Sequence, residues 1–506
     1  MKSDALFSWL KKRSSGVLLH PTALPSLYGI GNLGSAAYRF IDYLNDCGFS
    51  HWQICPLGST GYGNSPYQCF SAFAGNLNLI DWDDLISLGL LKYDELIELT
   101  RLPNQYCDFD SFIPERNKIL NLTLDRFKEY KDTALNNEYH TFLNENNEWL
   151  LPYAEFRALK THFKESALKV WPISLRSRYS FLKQSFNKLD LSVVKFHYWG
   201  QFLFFRHWKK LRIYAKNKQI SIIGDMPIYV SADSADVWAN PELFDLDKEF
   251  KAEHISGVPP DYFSDTGQLW GNPLYNWDKL QGKVFSWWMK RLKQSMDFFD
   301  IIRLDHFRAF EAFWSISADE KNAINGKWLQ GPGIFFFQVL AKKYPSIKLI
   351  AEDLGMIDDN VRSLLKATGL PGMSVLQFAF GGSSDNLYLP HHHIPEQVVY
   401  TGTHDNDTTY SWYQHADENT KDHLRRYLRV SGENAPWDLI RAAIQSPARL
   451  AIIPIQDLLC LDYTARFNVP GTIKGNWQWR MNNEFFKKHH QESGSYLKEL
   501  NQCYYR

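Results

Sequence analysis

Eight short apolar runs, each followed by polar or turn-forming residues, are spread along almost the whole chain. They cover residues 15–21, 51–57, 220–230, 300–307, 347–355, 373–380, 398–407 and 450–459. Near-continuous apolar runs of this length are typical of parallel strands that are buried on both faces. Stretches with helical periodicity lie between them, as at 38–48, 197–216 and 286–296. Eight strands that alternate with helices predict an α/β fold, a (β/α)₈ TIM barrel.

Two intervals between the predicted strands are too long to be simple crossovers. The interval after the second strand is charged and helix-like in its middle, so we expect an inserted, mainly helical subdomain at 85–190. The interval 231–285 is rich in glycine, proline and aromatic residues and leaves the carboxyl end of the third strand. It is expected to be an active-site loop insertion, because barrel active sites are built at that end. The catalytic barrel would then comprise 13–84 and 191–506.

Acidic residues stand at the carboxyl ends of four of the predicted strands. They are Asp225, Asp305, the pair Glu352 and Asp353, and Asp405 beside His404. Like charges gathered at one rim repel each other, so a purely stabilising role does not explain them well. Two close carboxylates can cleave a glycosidic bond with retention, one as the nucleophile and the other as acid and then base. The pattern therefore favours glycoside chemistry.

The residue types indicate how these roles divide. Arg303 and Asp305 are two positions apart in a strand and face the same side, so Arg303 would keep Asp305 charged as the nucleophile. An ion pair that only caps the strand is the structural alternative. Glu352 has the longer side chain that reaches a leaving-group oxygen, and it is the candidate acid/base. Asp405 is expected to stabilise the positive charge that develops on the sugar ring.

A metal-dependent barrel hydrolase is the main competing interpretation. The dipeptides His-Pro at 20–21, Asp-His at 305–306 and His-Asp at 404–405 stand at strand ends, where metal ligands of such enzymes lie. However, the first strand carries no HxH pair, and no candidate lysine ligand is apparent. The sequence therefore predicts neither a metal site nor a cofactor. The histidine run 391–393 is expected to be a solvated loop.

Composition narrows the class of partner and the compartment. The chain has 56 basic and 56 acidic residues, a balance that argues against a nucleic-acid or anionic-membrane partner. The six cysteines have no CxxC or zinc-like spacing, and no apolar run reaches transmembrane length. A cytoplasmic protein with reduced thiols is expected. The aromatic content of 15% predicts thick cores and some aromatic surfaces that bind flat, weakly polar ligands.

Several longer motifs carry a family resemblance. They lie at 15–34, 63–68, 223–244, 257–275, 301–308, 351–355, 401–408 and 468–480. Together and in this order they resemble the 4-α-glucanotransferases of glycoside hydrolase family 77, also called amylomaltases or disproportionating enzymes. The stretch GVPPDYFSDTGQLWGNPLY is highly specific, whereas RLDHFR is shared more loosely with α-amylase relatives.

The resemblance implies transfer of α-1,4-glucan segments between maltodextrins derived from starch or glycogen. It implies a covalent glucosyl intermediate on Asp305, with Glu352 as acid/base and Asp405 as transition-state stabiliser. It also implies sugar contacts from Ser65, Tyr67, Asp261, Gln268, Trp270, Arg303, His306, Asp353, His404 and Asn468.

Two further points stay open at this stage. Tyr262 and Phe263 are expected to guide an acceptor sugar or to form a lid over the site. A retaining α-glucan hydrolase on the same barrel is one alternative to the transferase, because water can replace the acceptor sugar. A non-catalytic glucan-binding scaffold is the other, although the presence of all three carboxylates argues against it.

Overall fold

The computed structural model describes residues 5–184, 189–260, 264–472 and 474–506. Within these residues the β-strands are β1 (Ser14–Leu18), β2 (His51–Gln53), β3 (Ser221–Pro227), β4 (His254–Val258), β5 (Gln268–Pro273), β6 (Ile301–Asp305), β7 (Ala312–Ser317), β8 (Lys327–Gln330), β9 (Leu349–Ala351), β10 (Gly372–Val375), β11 (Gln397–Tyr400) and β12 (Leu450–Pro454).

The helices surround and connect these strands. The α-helices of the described residues are α1 (Ser35–Asp46), α2 (Trp82–Ser87), α3 (Ile97–Thr100), α4 (Phe109–Lys128), α5 (Thr133–His162), α6 (Arg178–Lys183), α7 (Leu191–Asn217), α8 (Ala235–Ala239), α9 (Gln281–Phe298), α10 (Gly333–Lys343), α11 (Asp359–Thr368), α12 (Thr409–His415), α13 (Glu418–Leu428), α14 (Ala435–Gln445), α15 (Ile455–Leu458) and α16 (Asn483–Cys503). None of them is long and apolar enough to cross a membrane.

Eight parallel strands form the central sheet, in the order β10-β11-β12-β1-β2-β3-β6-β9. The two outermost strands meet, because the amide of Ala351 donates to the carbonyl of Pro371 at 2.9 Å. Apolar side chains such as Val17, Ile222 and Ile452 are fully enclosed, as expected for strands with helices outside and packed side chains inside. Each of these eight strands overlaps one of the predicted apolar runs. The predicted α/β barrel is confirmed.

Local sequence signals explain where several helices begin and end. The side chain of Asp132 accepts hydrogen bonds from the amides of Ala134 and Leu135 and so caps the start of α5. Asp358 caps α11 in the same way. That helix ends at Gly369, whose φ of 72° is favourable only for a residue without a side chain.

A second, antiparallel sheet of four strands, in the order β5-β4-β7-β8, is not predicted from the sequence pattern. Its strands β4 and β5 lie in the predicted loop insertion 231–285, and β7 and β8 follow β6. Glycine and proline interrupt β4 and β5, and every residue of β8 is exposed, so neither alternation nor an apolar run marks them. The loop insertion is thus partly an ordered sheet.

The helices α4 and α5 lie within the predicted insertion 85–190, and α5 packs along α7. The indole of Trp199 on α7 donates to Thr123 Oγ1 on α4 at 3.0 Å, while Tyr153 on α5 donates to Ser59 Oγ, also at 3.0 Å. Apolar side chains of these helices belong to the same cluster that fills the space around β1 to β3. The division of the chain into a barrel and an inserted subdomain stays a prediction.

Candidate active site

The central feature of the rim is one guanidinium group shared by two carboxylates. Pairing of β3 with β6 sets Asp225 opposite Arg303. Arg303 Nη1 donates to both oxygens of Asp225, at 2.7 and 2.9 Å, and to Asp305 Oδ1 at 2.9 Å. The Asp225 side chain is 1% exposed and that of Asp305 is 28% exposed. Asp305 is therefore the carboxylate of this group that a ligand can reach.

Glu352 lies immediately after β9, beside this group. Its Oε2 accepts from the amide of His306 at 2.7 Å, and its Oε1 accepts from the amide of Leu354 at 2.9 Å. Burial raises the pKa of Glu352 to about 7; the charge of Arg303 opposes this effect and that of Asp305 adds to it. A carboxyl group that holds its proton near neutral pH can act as a general acid.

His306 provides the backbone turn that makes this contact possible. Its φ of 56° and ψ of 53° are left-handed, a conformation that non-glycine residues seldom adopt. The ring packs edge-on against Trp270, with 4.7 Å between ring centres, and its Nε2 is buried without a hydrogen-bond partner among the described residues. Burial lowers the pKa of His306 to about 3, so the imidazole is neutral. Gln268 Oε1 accepts from the Trp270 indole at 3.2 Å.

Asp405 follows β11, the strand opposite β3 in the barrel. Asn468 Nδ2 donates to its Oδ1 at 2.6 Å, and His404 Nε2 lies 3.3 Å from the same oxygen. The guanidinium of Arg466 donates to the Asp405 carbonyl at 2.8 Å. These contacts orient a carboxylate that is almost half exposed.

Tyr67 connects the two sides of the rim. Its hydroxyl donates to Asp225 Oδ2 at 2.8 Å, and its ring stacks on His404 with 5.1 Å between centres and 15° between planes. Ser65 Oγ accepts from the Tyr67 amide at 3.2 Å, which orders the loop that carries both residues. A single continuous network therefore runs from Asp305 to Asp405.

Two of the predicted sugar contacts, Asp353 and Asp261, are not part of the network described above. Asp353 Oδ1 accepts from the amide of Met373 at 2.7 Å, across the seam between β9 and β10. A side chain at Gly372 would collide with this carboxylate, at 2.5 Å from its Oδ2. Burial raises the pKa of Asp353 to about 6. Asp261 lies outside the described residues, as do the proposed lid residues Tyr262 and Phe263.

Two side chains that contact the network have no role predicted from the sequence. The Trp477 ring lies 5.7 Å from that of Tyr67 and 6.0 Å from that of His404. Arg466 holds the Asp405 backbone, as described above, and its Nε donates to the Asn468 carbonyl at 3.0 Å. The sequence signal that could have identified them is the family motif at 468–480, which contains Trp477 and begins two residues after Arg466.

The expectation of a solvated histidine run is wrong for one of its three members. His393 is buried, and its ring nitrogens lie 2.9 Å from Ser374 Oγ and 2.7 Å from Ser446 Oγ. His391 is exposed, as predicted, whereas His392 is half-buried. A loop that carries polar residues can still insert one of them between β10 and the end of α14, where the two hydroxyl groups satisfy both nitrogens.

The geometry does not favour the metal-dependent alternative. Among the described residues, one group of at least three potential ligands lies within 4.8 Å, namely Asp245, Glu253 and His254. It stands at the start of β4, and the ammonium of Lys279 already lies 3.7 Å from Asp245. The histidine–carboxylate pairs at the strand ends form no such group in the described parts of the chain.

Replacement of Arg303 by methionine is expected to destabilise the protein by about 3–5 kcal/mol, because Asp225 would lose the cation that compensates its burial. Urea unfolding of the two proteins measures this difference. Combining Arg303→Met with Asp225→Asn removes the buried negative charge as well. The double variant should therefore lose less stability than the two single variants together, and strictly additive losses would contradict the proposed coupling.

The comparisons with known proteins agree with one another. A sequence model of the family described as 4-α-glucanotransferase matches residues 19–486. The 4-α-glucanotransferase of Synechocystis is 45% identical over 475 residues, 93% of this chain and 94% of that protein. The Thermus thermophilus 4-α-glucanotransferase is 43% identical over 477 residues, 93% of this chain and 95% of that one.

The fold agrees with a solved relative over its full length. The amylomaltase from Streptococcus agalactiae in complex with acarbose has a TM-score of 0.93 and 37% identity, covering 98% of this chain and 100% of that chain. The amylomaltase of Corynebacterium glutamicum, 16% identical with a TM-score of 0.79, shares the fold. The chain therefore belongs to glycoside hydrolase family 77, the 4-α-glucanotransferases.

Proposed function

We propose that this enzyme moves α-1,4-glucan segments between maltodextrins by a retaining double displacement. Asp305 is the nucleophile, Glu352 the general acid/base and Asp405 the stabiliser of the transition state. The observation that carries the proposal is the difference between the first two carboxylates. Asp305 contacts the Arg303 guanidinium, whereas the pKa of Glu352 is raised to about 7. Two carboxyl groups in such different environments suit a nucleophile and an acid.

In the first displacement an Asp305 oxygen attacks the anomeric carbon of the donor sugar. The bond from that carbon to the glycosidic oxygen breaks as Glu352 gives its proton to this oxygen, and the shortened glucan leaves with a new hydroxyl group. Positive charge develops on the sugar ring, and the Asp405 carboxylate, oriented by Asn468, lies on the same rim to stabilise it. The product is a glucosyl ester on Asp305.

In the second displacement the 4-hydroxyl group of an acceptor glucan attacks the same carbon from the opposite side. Glu352, now a carboxylate, accepts the hydroxyl proton, and the ester bond to Asp305 breaks. Two inversions leave the new linkage in the α configuration. Glu352 regains its proton and Asp305 its charge, so the enzyme returns to its starting state.

Transfer competes with hydrolysis at this second step. Acceptor subsites raise the local concentration of a sugar hydroxyl, while aromatic walls limit the access of water. The stacked rings of Tyr67 and His404, and the edge-on rings of Trp270 and His306, are suitable walls. Trp270 and Tyr67 are also candidates to contact the apolar faces of glucose units. These features support transfer over the hydrolase alternative.

The substrates follow from the same chemistry. We infer that maltodextrins derived from starch or glycogen are both donors and acceptors, which agrees with the acarbose complex of the Streptococcus agalactiae relative. Sugar contacts are proposed for Ser65, Gln268 and Asn468 and for the histidines of the rim. Asp353 is proposed as a weaker candidate, because Met373 already occupies one of its oxygens. All six cysteines are free thiols, which fits the proposed cytoplasmic location.

Incubation with pure maltotriose tests the transferase proposal directly. We expect glucose together with a ladder of maltodextrins longer than the substrate, because each glucosyl intermediate can be captured by a second maltotriose. Chromatography of the products measures this distribution over time. Glucose and maltose without any longer product would identify a hydrolase, and an unchanged substrate would favour the binding scaffold.

A further inference from the structure

Trp328 is a tryptophan held in a fixed orientation at the surface of the second sheet. It lies on the edge strand β8, directly opposite Trp314 on β7, and the two rings meet edge to face at 5.1 Å. The guanidinium of Arg308 stacks over the Trp328 ring, 3.8 Å from its centre. Even so, the residue is 36% exposed. Its neighbours fix the indole in place and leave part of its surface open to solvent.

Arg308 contacts both Trp328 and the loop that follows Glu352. It lies three positions after Asp305, in the short turn that follows β6. Its guanidinium donates to the carbonyl of Met356 and, at 3.1 Å, to Asp358 Oδ2. Both residues belong to the loop that leads from Glu352 to α11. Trp328 therefore borders the rim on the side of the acid/base.

The same sheet also reaches the inner part of the site. Its other edge strand, β5, carries Gln268 and Trp270, and Trp270 packs on His306. The sheet therefore spans from the predicted inner sugar contacts to Trp328. Because a general acid protonates the leaving group, the loop after Glu352 borders the side where the leaving and acceptor chains lie.

We propose that Trp328, supported by Arg308 and Trp314, is an outer acceptor subsite that stacks on a glucose unit of long α-glucans. The inference rests on the proposed function. An indole offers a flat apolar surface that matches the apolar face of a pyranose ring, and fixing the ring in advance removes the entropic cost of ordering it. An acceptor too short to extend beyond the inner subsites does not reach Trp328.

Replacement of Trp328 by leucine is expected to affect long acceptors selectively. With amylose as a fixed donor, the KM for labelled maltohexaose as the acceptor should rise about tenfold, the loss equivalent to ~1.4 kcal/mol of contact. The KM for labelled maltose and the rate at saturating acceptor should stay the same. Trp328→Tyr keeps an aromatic ring at this position and should retain most of the affinity for the long acceptor.

A matched control is available on the outside of the barrel. Trp437 on α14 also lies beside an arginine, Arg441, and packs edge-on against Tyr496 at 5.5 Å. Trp437→Leu should leave the KM for both acceptors unchanged. An equal rise in KM for maltose and maltohexaose in Trp328→Leu would show a structural effect and overturn the subsite. A change confined to donor length would overturn its assignment to the acceptor side.

A binding measurement keeps the inference testable if Trp328→Leu does not fold. In the Asp305→Asn background, which blocks turnover, maltohexaose should quench the fluorescence of both Trp270 and Trp328, and Trp328→Tyr should remove the part that comes from Trp328. Unchanged quenching would contradict the subsite. Failure of the proposed function is a separate result, because it would appear in the wild-type protein as the absence of transfer between short maltodextrins.

Discussion

Asp305→Asn is expected to reduce transfer from maltotriose by about 10⁴-fold or more, because no side chain could then form the glucosyl ester. The amide is close in size to the carboxylate, and its oxygen can still accept from Arg303. The buried pair of Arg303 with Asp225 is also retained. The variant should therefore fold normally. Release of glucose and formation of longer maltodextrins, followed over several enzyme concentrations, measure the loss.

Asp359 offers a control for the same chemical change. Its side chain is fully exposed at the start of α11, far along the chain from the proposed nucleophile. Asp359→Asn should transfer at the wild-type rate. If Asp305→Asn instead kept transfer within about tenfold of wild type, Asp305 would not be the nucleophile, and the covalent mechanism proposed here would need another residue.

Glu352→Gln is expected to slow transfer from maltodextrins by about 10³-fold, because the leaving oxygen would receive no proton. A donor such as α-maltosyl fluoride needs no acid to leave, so the first displacement should proceed in this variant. The second displacement lacks its base, and the maltosyl ester on Asp305 should accumulate. Mass spectrometry of the peptide that contains Asp305 would then show an added maltosyl group.

The pH profile provides the companion measurement for Glu352. Glu352 must be protonated when Asp305 attacks the donor sugar, and its pKa is raised to about 7. In the wild-type enzyme kcat/KM for maltotriose should therefore fall as the pH rises above about 7. Glutamine does not titrate, so the alkaline fall should disappear in Glu352→Gln. A fall that persisted in the variant would assign the proton to a different group.

Part of the site follows from spacing alone. Residues two apart in a strand face the same side, and Arg303 does contact Asp305 as that rule requires. The rule does not reveal the third partner. Asp225 belongs to a neighbouring strand, and only the register between β3 and β6 sets it against the same guanidinium. Arg303 therefore forms a structural ion pair with the buried Asp225 and also contacts the partly exposed Asp305.

Other features depend on which segments meet in space. His393 looks like one member of a polar run, yet it is buried because Ser374 and Ser446 lie where they satisfy its ring. Asp353 looks equivalent to Glu352 from its position at a strand end, but it turns to the amide of Met373. The strands of the second sheet carry no strong periodicity, and its two local pairs, β4 with β5 and β7 with β8, are joined by the pairing of β4 with β7, which lie far apart in sequence.

The sequence by itself determined the barrel and the position of the carboxylates on its rim. Eight apolar runs must be buried, and the chain leaves each strand at the end where polar residues begin, so both features are local properties of the pattern. The tertiary structure alone decided the raised pKa of Glu352, the link through Tyr67 and the open surface of Trp328. Burial, charge and stacking at these residues come from neighbours distant in sequence, which no local pattern specifies.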